Sequence, residues 1–365
     1  MTGRERALRA LSFEPVDRPP LAGGLLQNAA FLAEAAGVSD FWADPRRTAF
    51  EAFRTLGCDV VLGPVMPKRP EDTTTDAYGR PTDFTVVHAK PELTTPEQVA
   101  DWAERHDAST LRASFDMAAA CADYLNHMQA GQADAGDMLF IGHCLGYAPT
   151  FPTSDGHFSY EAFLMACALY PERMWPLFET WGEQSRLRLE AVASVTLKHG
   201  LLRLIWIGQD LCDARGPMLS PRLMDTLYFP ALRHALEPLQ RAGIRTVWHT
   251  DANYRQILPA LIELGLDGFQ GFYETPDGIT LEHLAGLTMR SGRPPILFGS
   301  ISTVWVLPHG SPADVRREVE RCVDASEGRA PLLLAPSSSI GPEVPAANVR
   351  ALFDHARTYR PSWSA

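Results

Sequence analysis

The feature that most constrains the fold of this chain is a regular alternation of short apolar runs with amphipathic stretches. Each run is dense in apolar residues and is followed by a stretch whose apolar residues recur at helical spacing; the eight runs are residues 20–25, 59–65, 138–143, 201–210, 245–249, 268–274, 295–300 and 331–336. Short apolar runs bounded by turn residues are typical of buried parallel strands. Eight such strands, each followed by a helix, predict an α/β fold built as a single (β/α)8 TIM barrel.

Two further stretches refine this expectation. Residues 2–11 have the pattern of a capped amphipathic helix, which predicts a helical segment before the first strand. Residues 73–90 contain a turn at 78–81 and an alternating stretch after it, which predicts a β-hairpin insertion. The alternative architecture is a doubly wound open sheet, but no Gly-x-Gly-x-x-Gly turn follows the first run. No repeat or low-complexity linker divides the sequence, so we expect one domain over residues 1–365.

Composition argues against several classes of function. The formal net charge of −11 does not suit a partner with a phosphate backbone, which needs a basic surface. The sequence has no run of roughly 18 apolar residues to span a membrane, and its first residues lack the apolar core of a signal peptide. The six cysteines are scattered, without a Cys-x-x-Cys pair, as is typical of reduced thiols. We therefore expect a cytoplasmic protein that binds neither nucleic acid nor membrane.

The run at residues 245–249 ends in the most informative group of side chains. His249 and Asp251 are two residues apart, so on an extended strand they point to the same side. In an α/β barrel the carboxyl ends of the strands are where chemistry takes place. An imidazole and a carboxylate delivered together suit metal binding or general acid–base catalysis. The structural alternative is that Asp251 caps the next helix and His249 donates to a backbone carbonyl.

The ends of the other runs supply further candidates. Asp210 and Glu274 join His249 and Asp251 as candidate catalytic residues, and Glu274 completes a His249, Asp251 and Glu274 ligand set that suits zinc or another divalent ion. Without a metal, the same carboxylates would repel one another and raise a pKa, which would provide a general acid. Each also has a structural alternative, such as an ion pair with an arginine. The side chains expected to contact a substrate are His143, Tyr147, Gln209, Trp248, Tyr273 and Ser300.

Several longer motifs run almost from end to end. They are residues 4–11 (RERALRAL), 14–20 (EPVDRPP), 207–210 (IGQD), 216–221 (GPMLSP), 249–253 (HTDAN), 261–270 (LIELGLDGFQ), 298–302 (FGSIS) and 344–350 (VPAANVR). In these motifs the chain resembles the uroporphyrinogen decarboxylase superfamily, which includes corrinoid-dependent methyltransferases. The resemblance implies a (β/α)8 barrel, which agrees with the strand count. The motifs are specific for the superfamily and not for one reaction within it.

Two departures from the family pattern bear on the reaction. True uroporphyrinogen decarboxylases carry an arginine-rich segment after the first strand, where this chain has residues 21–27 (LAGGLLQ). A site without those arginines is poorly suited to a polycarboxylate tetrapyrrole. The thiol-methylating members bind zinc through His-x-Cys and a later cysteine, which here become His249-x-Asp251 and residues 337–339 (SSS). Oxygen ligands donate less charge than thiolates, so a metal held by them would be a stronger Lewis acid.

The resemblance therefore implies a methyltransferase component. It would move a methyl group from a methoxylated or methylated small molecule to cobalamin carried by a separate corrinoid protein, with zinc as the expected metal. The alternatives are a uroporphyrinogen decarboxylase-like lyase that acts on a smaller carboxylate without metal, and a non-catalytic binding barrel. A homodimer is compatible with all three.

Overall fold

Strands and helices alternate along the chain in this mixed α/β structure. The computed structural model describes residues 1–69, 92–142, 144–151, 157–272 and 278–361, together with the backbone of β3 and β4. The described strands are β1 (Ala22–Gly23), β2 (Val60–Leu62), β3 (Thr74–Thr75), β4 (Pro81–Thr82), β5 (Leu139–Ile141), β6 (Leu204–Gly208), β7 (Cys212–Asp213), β8 (Gly216–Pro217), β9 (Arg245–His249), β10 (Gly268–Gln270), β11 (Ile296–Phe298) and β12 (Leu332–Leu333). Each of the eight runs predicted as strands contains one of these: β1, β2, β5, β6 and β9 to β12. The sequence predicted the element type because the strands within these runs are buried on both faces, and β2, β5, β6 and β11 are buried at every position.

The helices follow the predicted pattern closely. They are α1 (Gly3–Leu11), α2 (Ala29–Ala36), α3 (Pro45–Thr55), α4 (Pro96–Ala103), α5 (Leu111–Ser114), α6 (Met117–Ala135), α7 (Tyr160–Leu169), α8 (Pro171–His199), α9 (Pro221–Leu223), α10 (Phe229–Arg241), α11 (Leu258–Glu263), α12 (Leu281–Ala285), α13 (Val306–His309), α14 (Pro312–Ala325) and α15 (Ala346–Thr358). A π-helical turn, Met224–Tyr228, joins α9 to α10. The predicted cap of α1 is confirmed, since Thr2 and Glu5 form a capping box.

The chain divides into two compact units, each made of segments that are not contiguous in sequence. One unit comprises Met1–Arg69, His127–His143 and Asp267–Ala365, and the other comprises Pro70–Asn126 and Cys144–Leu266. Neither unit is a continuous stretch of sequence. The expected single domain over residues 1–365 stays a prediction.

The first unit contains six of the parallel strands. β1, β2 and β5 are hydrogen-bonded in the order β1-β2-β5, and β10, β11 and β12 pair in the order β12-β11-β10. The amide of Ala22 donates to the carbonyl of Leu334 at 2.9 Å, and the amide of Leu334 donates to the carbonyl of Pro20 at 2.8 Å. These bonds place β1 beside β12, so the six strands form a parallel series.

The second unit contains the other two parallel strands. β6 and β9 pair in register from Leu204 opposite Arg245 to Gly208 opposite His249. Beyond β6, the short strands β7 and β8 form an antiparallel hairpin in which Cys212 lies opposite Pro217. The register of β6 and β9 determines which of their terminal residues meet.

The hairpin insertion predicted for residues 73–90 is confirmed in its paired backbone. β3 and β4 are antiparallel, with Thr74 opposite Thr82 and Thr75 opposite Pro81. The sequence placed Pro81 in the turn, whereas the structure places it at the start of a strand. The first position of a strand tolerates proline. The alternating stretch at 83–88 lies outside the described residues.

A buried ionic cluster joins α1 to the start of β2. Asp59 is 3% exposed, and its carboxylate accepts hydrogen bonds from Arg6 at 2.8 Å and from Arg18 at 2.6 Å. The Leu21 amide donates to the same carboxylate at 2.8 Å. Arg6 also pairs with Asp17, and this hydrogen bond is the main reason why the pKa of Asp17 is lowered to about 2. The EPVDRPP motif is thus held in place by charge–charge contacts with α1 and β2.

Within the described part of the chain, no helix has the length and apolar character needed to cross a membrane.

Candidate metal centre

The carboxyl ends of β6 and β9 bring three ionisable side chains together. Gly208 lies opposite His249 in the parallel register, and residues two apart along a strand point to the same side. One ligand atom from each of Asp210, His249 and Asp251 can be chosen so that all three lie within 4.8 Å of one another. Among the described residues, no other group of histidine, cysteine, aspartate or glutamate side chains has this arrangement. These three residues could hold a metal ion, and we call them the metal centre for that reason.

Main-chain hydrogen bonds hold the two strand ends in this arrangement. Oδ1 of Asp210 accepts from the amide of Asp251 at 3.0 Å and lies 3.7 Å from Nε2 of His249. The amide of Gln209 donates to the carbonyl of His249 at 3.0 Å. The carboxylate of Asp210 is therefore positioned by the backbone of the neighbouring strand.

The metal centre combines a sheltered imidazole with a carboxylate that reaches solvent. The side chain of His249 is 17% exposed and that of Asp210 is 43% exposed. The indole of Trp206 packs edge-on against the imidazole, with ring centroids 6.2 Å apart, and Trp206 is itself buried. An imidazole backed by an apolar wall, next to an accessible carboxylate, forms a site that a small molecule can reach.

The structural alternative for Asp251, that it caps the next helix, is wrong. α11 begins at Leu258, and its N-cap residue is Ile257. Between Asp251 and this helix, Asn253 accepts a hydrogen bond from the amide of Arg255 at 3.2 Å, which forms a separate turn. Asp251 therefore lies in the loop at the end of β9, beside Asp210.

Gly208 provides the space that the end of β9 occupies. A Cβ atom at position 208 would lie 2.0 Å from the carbonyl oxygen of His249 and 2.6 Å from its Cβ atom. Both contacts are far shorter than real Cβ atoms make, and the first is with backbone. The glycine of the IGQD motif is thus required by the close approach of the two strands.

We expect the Gly208→Ala variant to displace the end of β9 and to weaken metal binding. Rotation of a side chain cannot relieve a clash with backbone, so we also expect a loss of stability of about 1–3 kcal/mol. Metal content and the urea midpoint of the purified variant measure the two effects. Gly286→Ala is the matched control, because a Cβ atom there meets nothing closer than 3.6 Å. Unchanged metal content in Gly208→Ala would show that the register of β6 and β9 does not support the site.

The donor set and spacing of the metal centre fit a divalent ion. Histidine nitrogen and carboxylate oxygen are ligands of zinc and of related ions. Bonds of about 2.0–2.2 Å place two ligands of a tetrahedral zinc ion roughly 3.4 Å apart. This separation is close to the 3.7 Å between Nε2 of His249 and Oδ1 of Asp210.

The ligand set differs from the one expected from sequence. The expected set was His249, Asp251 and Glu274, with Asp210 as a catalytic residue only. The structure places Asp210 beside the first two, while Glu274 lies outside the described residues. A usable signal was present, since Asp210 follows β6 as Asp251 follows β9. Consecutive strands of a (β/α)8 barrel are neighbours, so the predicted barrel already placed Asp210 and His249 at the same edge. The exact register between β6 and β9, which brings the carboxylate to the imidazole, could not be predicted from the sequence.

Four of the six residues expected to contact a substrate lie in the described part of the chain. His143 and Tyr273 lie outside the described residues. Gln209 is half-buried at the end of β6. Tyr147 is half-buried in a short 3-10 helix, with the guanidinium of Arg188 5.9 Å from its ring centroid.

Trp248 and Ser300 are both buried. Trp248 is 0% exposed and directly precedes His249 in an extended strand, so its side chain points to the opposite side. The structure does not bring it to the metal centre. Ser300 is 1% exposed, and its carbonyl accepts from the thiol of Cys322 at 3.7 Å. Substrate contacts by these two residues stay predictions.

Tyr160 lies near the metal centre and was not expected from sequence. Its hydroxyl donates to the thioether sulfur of Met218. Burial, together with the nearby carboxylates of Asp213 and Asp210, raises the pKa of Tyr160 to about 12. The sequence offered no signal for this contact, because the two residues are 58 positions apart.

Comparison with known proteins agrees with the sequence motifs. A family model for uroporphyrinogen decarboxylase (URO-D) matches residues 209–359, a segment that contains the whole of the HTDAN motif. The solved structure of a methyltransferase from Methanosarcina mazei is similar with a TM-score of 0.60, at 19% sequence identity and over 98% of each chain. No curated protein matches the chain. The resemblance to the superfamily is therefore confirmed, and the structural likeness, at this identity, shows the fold alone.

Proposed function

We propose that this chain is a methyltransferase that takes a methyl group from a methoxylated or methylated small molecule and passes it to a corrinoid on a separate protein. The observation that carries the proposal is the convergence of Asp210, His249 and Asp251 at the ends of two neighbouring strands. Further support comes from the structure of the same fold in Methanosarcina mazei, which is that of a methyltransferase.

In this proposal the metal centre binds the methyl donor and orients it. Nε2 of His249 and one oxygen of each aspartate would hold a divalent ion, zinc being the expected one, and that ion supplies a Lewis acid for the donor's oxygen or nitrogen. The two carboxylates keep such an ion more acidic than thiolate ligands would. Trp206 shields one edge of the imidazole from water, and the accessible carboxylate of Asp210 faces the entering donor.

The proposal extends to the fold and the location of the protein. The eight parallel strands support the closed (β/α)8 barrel expected from the sequence, with its carboxyl ends as the substrate mouth. A cytoplasmic protein that meets a separate cobalamin-carrying partner is consistent with the net charge of −11 and with the scattered cysteines. A homodimer remains compatible with this organisation.

The second candidate is a uroporphyrinogen decarboxylase-like lyase acting on a smaller carboxylate. The family model that matches residues 209–359 favours it, because that model is named for a decarboxylase. In such an enzyme the same aspartates and His249 would act as acid and base without metal. A metal-free protein that releases carbon dioxide would establish this alternative.

Metal analysis and a transfer assay test the proposal directly. We expect protein purified without chelator to contain about one zinc ion or similar divalent ion per chain. We also expect it to methylate cob(I)alamin, or a corrinoid protein encoded nearby, from a methoxylated arene. Treatment with chelator should remove both properties, and added zinc should restore them. Metal-free protein with full activity would overturn the metal centre, and turnover without any corrinoid would overturn the proposed acceptor.

A further inference from the structure

Tyr160, the first residue of α7, has a hydroxyl group in an unusual resting contact. The hydroxyl donates to the thioether sulfur of Met218, and a thioether is a weak acceptor. Exchanging this contact for one with a charged oxygen would gain free energy, because hydrogen bonds to ionised acceptors are roughly twice as strong as neutral ones. The phenol would therefore form a stronger hydrogen bond if it donated to a charged oxygen instead of the thioether.

Met218, which accepts this hydrogen bond, belongs to a hairpin that is bonded to the segments carrying the aspartates of the metal centre. The amide of Met218 donates to the carbonyl of Leu211 at 3.0 Å, and Leu211 directly follows Asp210. On the other side of the hairpin, the carbonyl of Asp213 accepts from the amide of Asn253, two residues after Asp251, at 3.1 Å. Tyr160 thus touches a hairpin that is attached at both ends to the loops carrying the aspartates.

The surroundings keep the phenol in its donating form. Tyr160 is half-buried, and burial is the main reason why its pKa rises to about 12, with the carboxylates of Asp213 and Asp210 adding to the rise. At neutral pH the hydroxyl keeps its proton. A neutral donor beside a metal centre suits an oxygen atom that gains negative charge during a reaction.

We infer that Tyr160 is a further catalytic residue, whose hydroxyl donates a hydrogen bond to the leaving oxygen of a methyl ether. The inference rests on the proposed function and names its donor class as methyl ethers. In the reaction the bond between the methyl carbon and the ether oxygen breaks, and the oxygen keeps the electron pair. The new bond to carbon uses an electron pair of cobalt(I) in the partner's corrinoid. Tyr160 stabilises the released oxygen, which takes a proton from water as the alcohol or phenol leaves.

The dependence of the rate on the leaving group provides the test. Tyr160→Phe removes only the hydroxyl. With cob(I)alamin as acceptor, we expect kcat for methoxybenzene to fall about 100-fold. For 1-methoxy-4-nitrobenzene we expect a fall of less than about 10-fold, because nitrophenolate needs less stabilisation. Metal content and melting temperature should match those of the unchanged protein.

Two further variants separate a catalytic role from a structural one. Tyr170→Phe is the matched control, since Tyr170 follows the other end of α7 and donates to the exposed Glu97 at 2.8 Å. It should leave both rates unchanged. Met218→Leu removes the resting acceptor and keeps the phenol, so the rate on methoxybenzene should be retained or raised. If Met218→Leu loses as much activity as Tyr160→Phe, the contact is structural and the inference is overturned.

The remaining outcomes distinguish this inference from the proposed function. If Tyr160→Phe slows both ethers equally, or slows neither, Tyr160 does not act on the leaving oxygen, while the methyltransferase proposal stands. If the unchanged, metal-loaded protein transfers no methyl group from either ether but does so from a methylamine, the ether class is wrong and the metal centre remains. If it transfers none from any donor, the proposed function itself fails.

Discussion

The His249→Ala variant is expected to lose its bound metal and to transfer methyl groups at least about 1,000-fold more slowly. His249 supplies the nitrogen ligand of the metal centre, and two carboxylates alone hold zinc weakly. The fold should persist, because His249 lies at the end of β9, where a side chain contributes little to core packing. Metal content, methyl transfer to cob(I)alamin and melting temperature are to be measured on the same preparation.

Two variants of Asp251 test the metal centre further, one by removing a ligand atom and one by replacing it. Asp251→Ala should also lose metal and activity. Asp251→Cys restores a ligand atom, so it should keep metal, and its activity should be lower because a thiolate makes the ion a weaker Lewis acid. His283→Ala is the matched control for His249→Ala, since His283 is an exposed histidine on α12. An active, metal-free Asp251→Ala protein would leave the metal hypothesis without support.

The second large effect concerns stability. We expect Asp59→Ala to lower the free energy of unfolding by about 3–5 kcal/mol, because it leaves two arginine side chains without their buried partner. Arg6 and Arg18 are 10% and 8% exposed in their side chains, so water cannot replace the carboxylate fully. The amide of Leu21 would also lose its acceptor. Urea denaturation followed by circular dichroism measures the change.

A surface ion pair provides the control for Asp59. Asp354 pairs with Arg357 at 2.8 Å, and its side chain is 66% exposed. Exposed pairs contribute about 0–1 kcal/mol, so Asp354→Ala should barely move the urea midpoint. If Asp59→Ala cost no more than Asp354→Ala, the arginines would have other partners strong enough to hold the EPVDRPP motif, and our account of the cluster would be wrong.

Much of the architecture could be predicted because its determinants are local. Within the run at residues 59–65, positions 60–62 are apolar in succession, which is typical of a strand buried on both faces. The Thr2 and Glu5 capping box is likewise a pattern of adjacent residues. The start of the helix after β9 was not predictable in this way. That helix begins only at Leu258, since the side chain of Asn253 first accepts from the amide of Arg255 and forms a turn.

The candidate site could be predicted only in part, because some of its contacts are local in sequence and others join distant residues. The pairing of His249 with Asp251 depends on strand periodicity, a local property, and the sequence determined it. That Asp210 joins them depends on the register between β6 and β9, which are more than 35 residues apart in the chain. The contact between Tyr160 and Met218 spans 58 residues. Local periodicity determines where a side chain points along its own strand, whereas only the packed structure decides which distant side chains it meets.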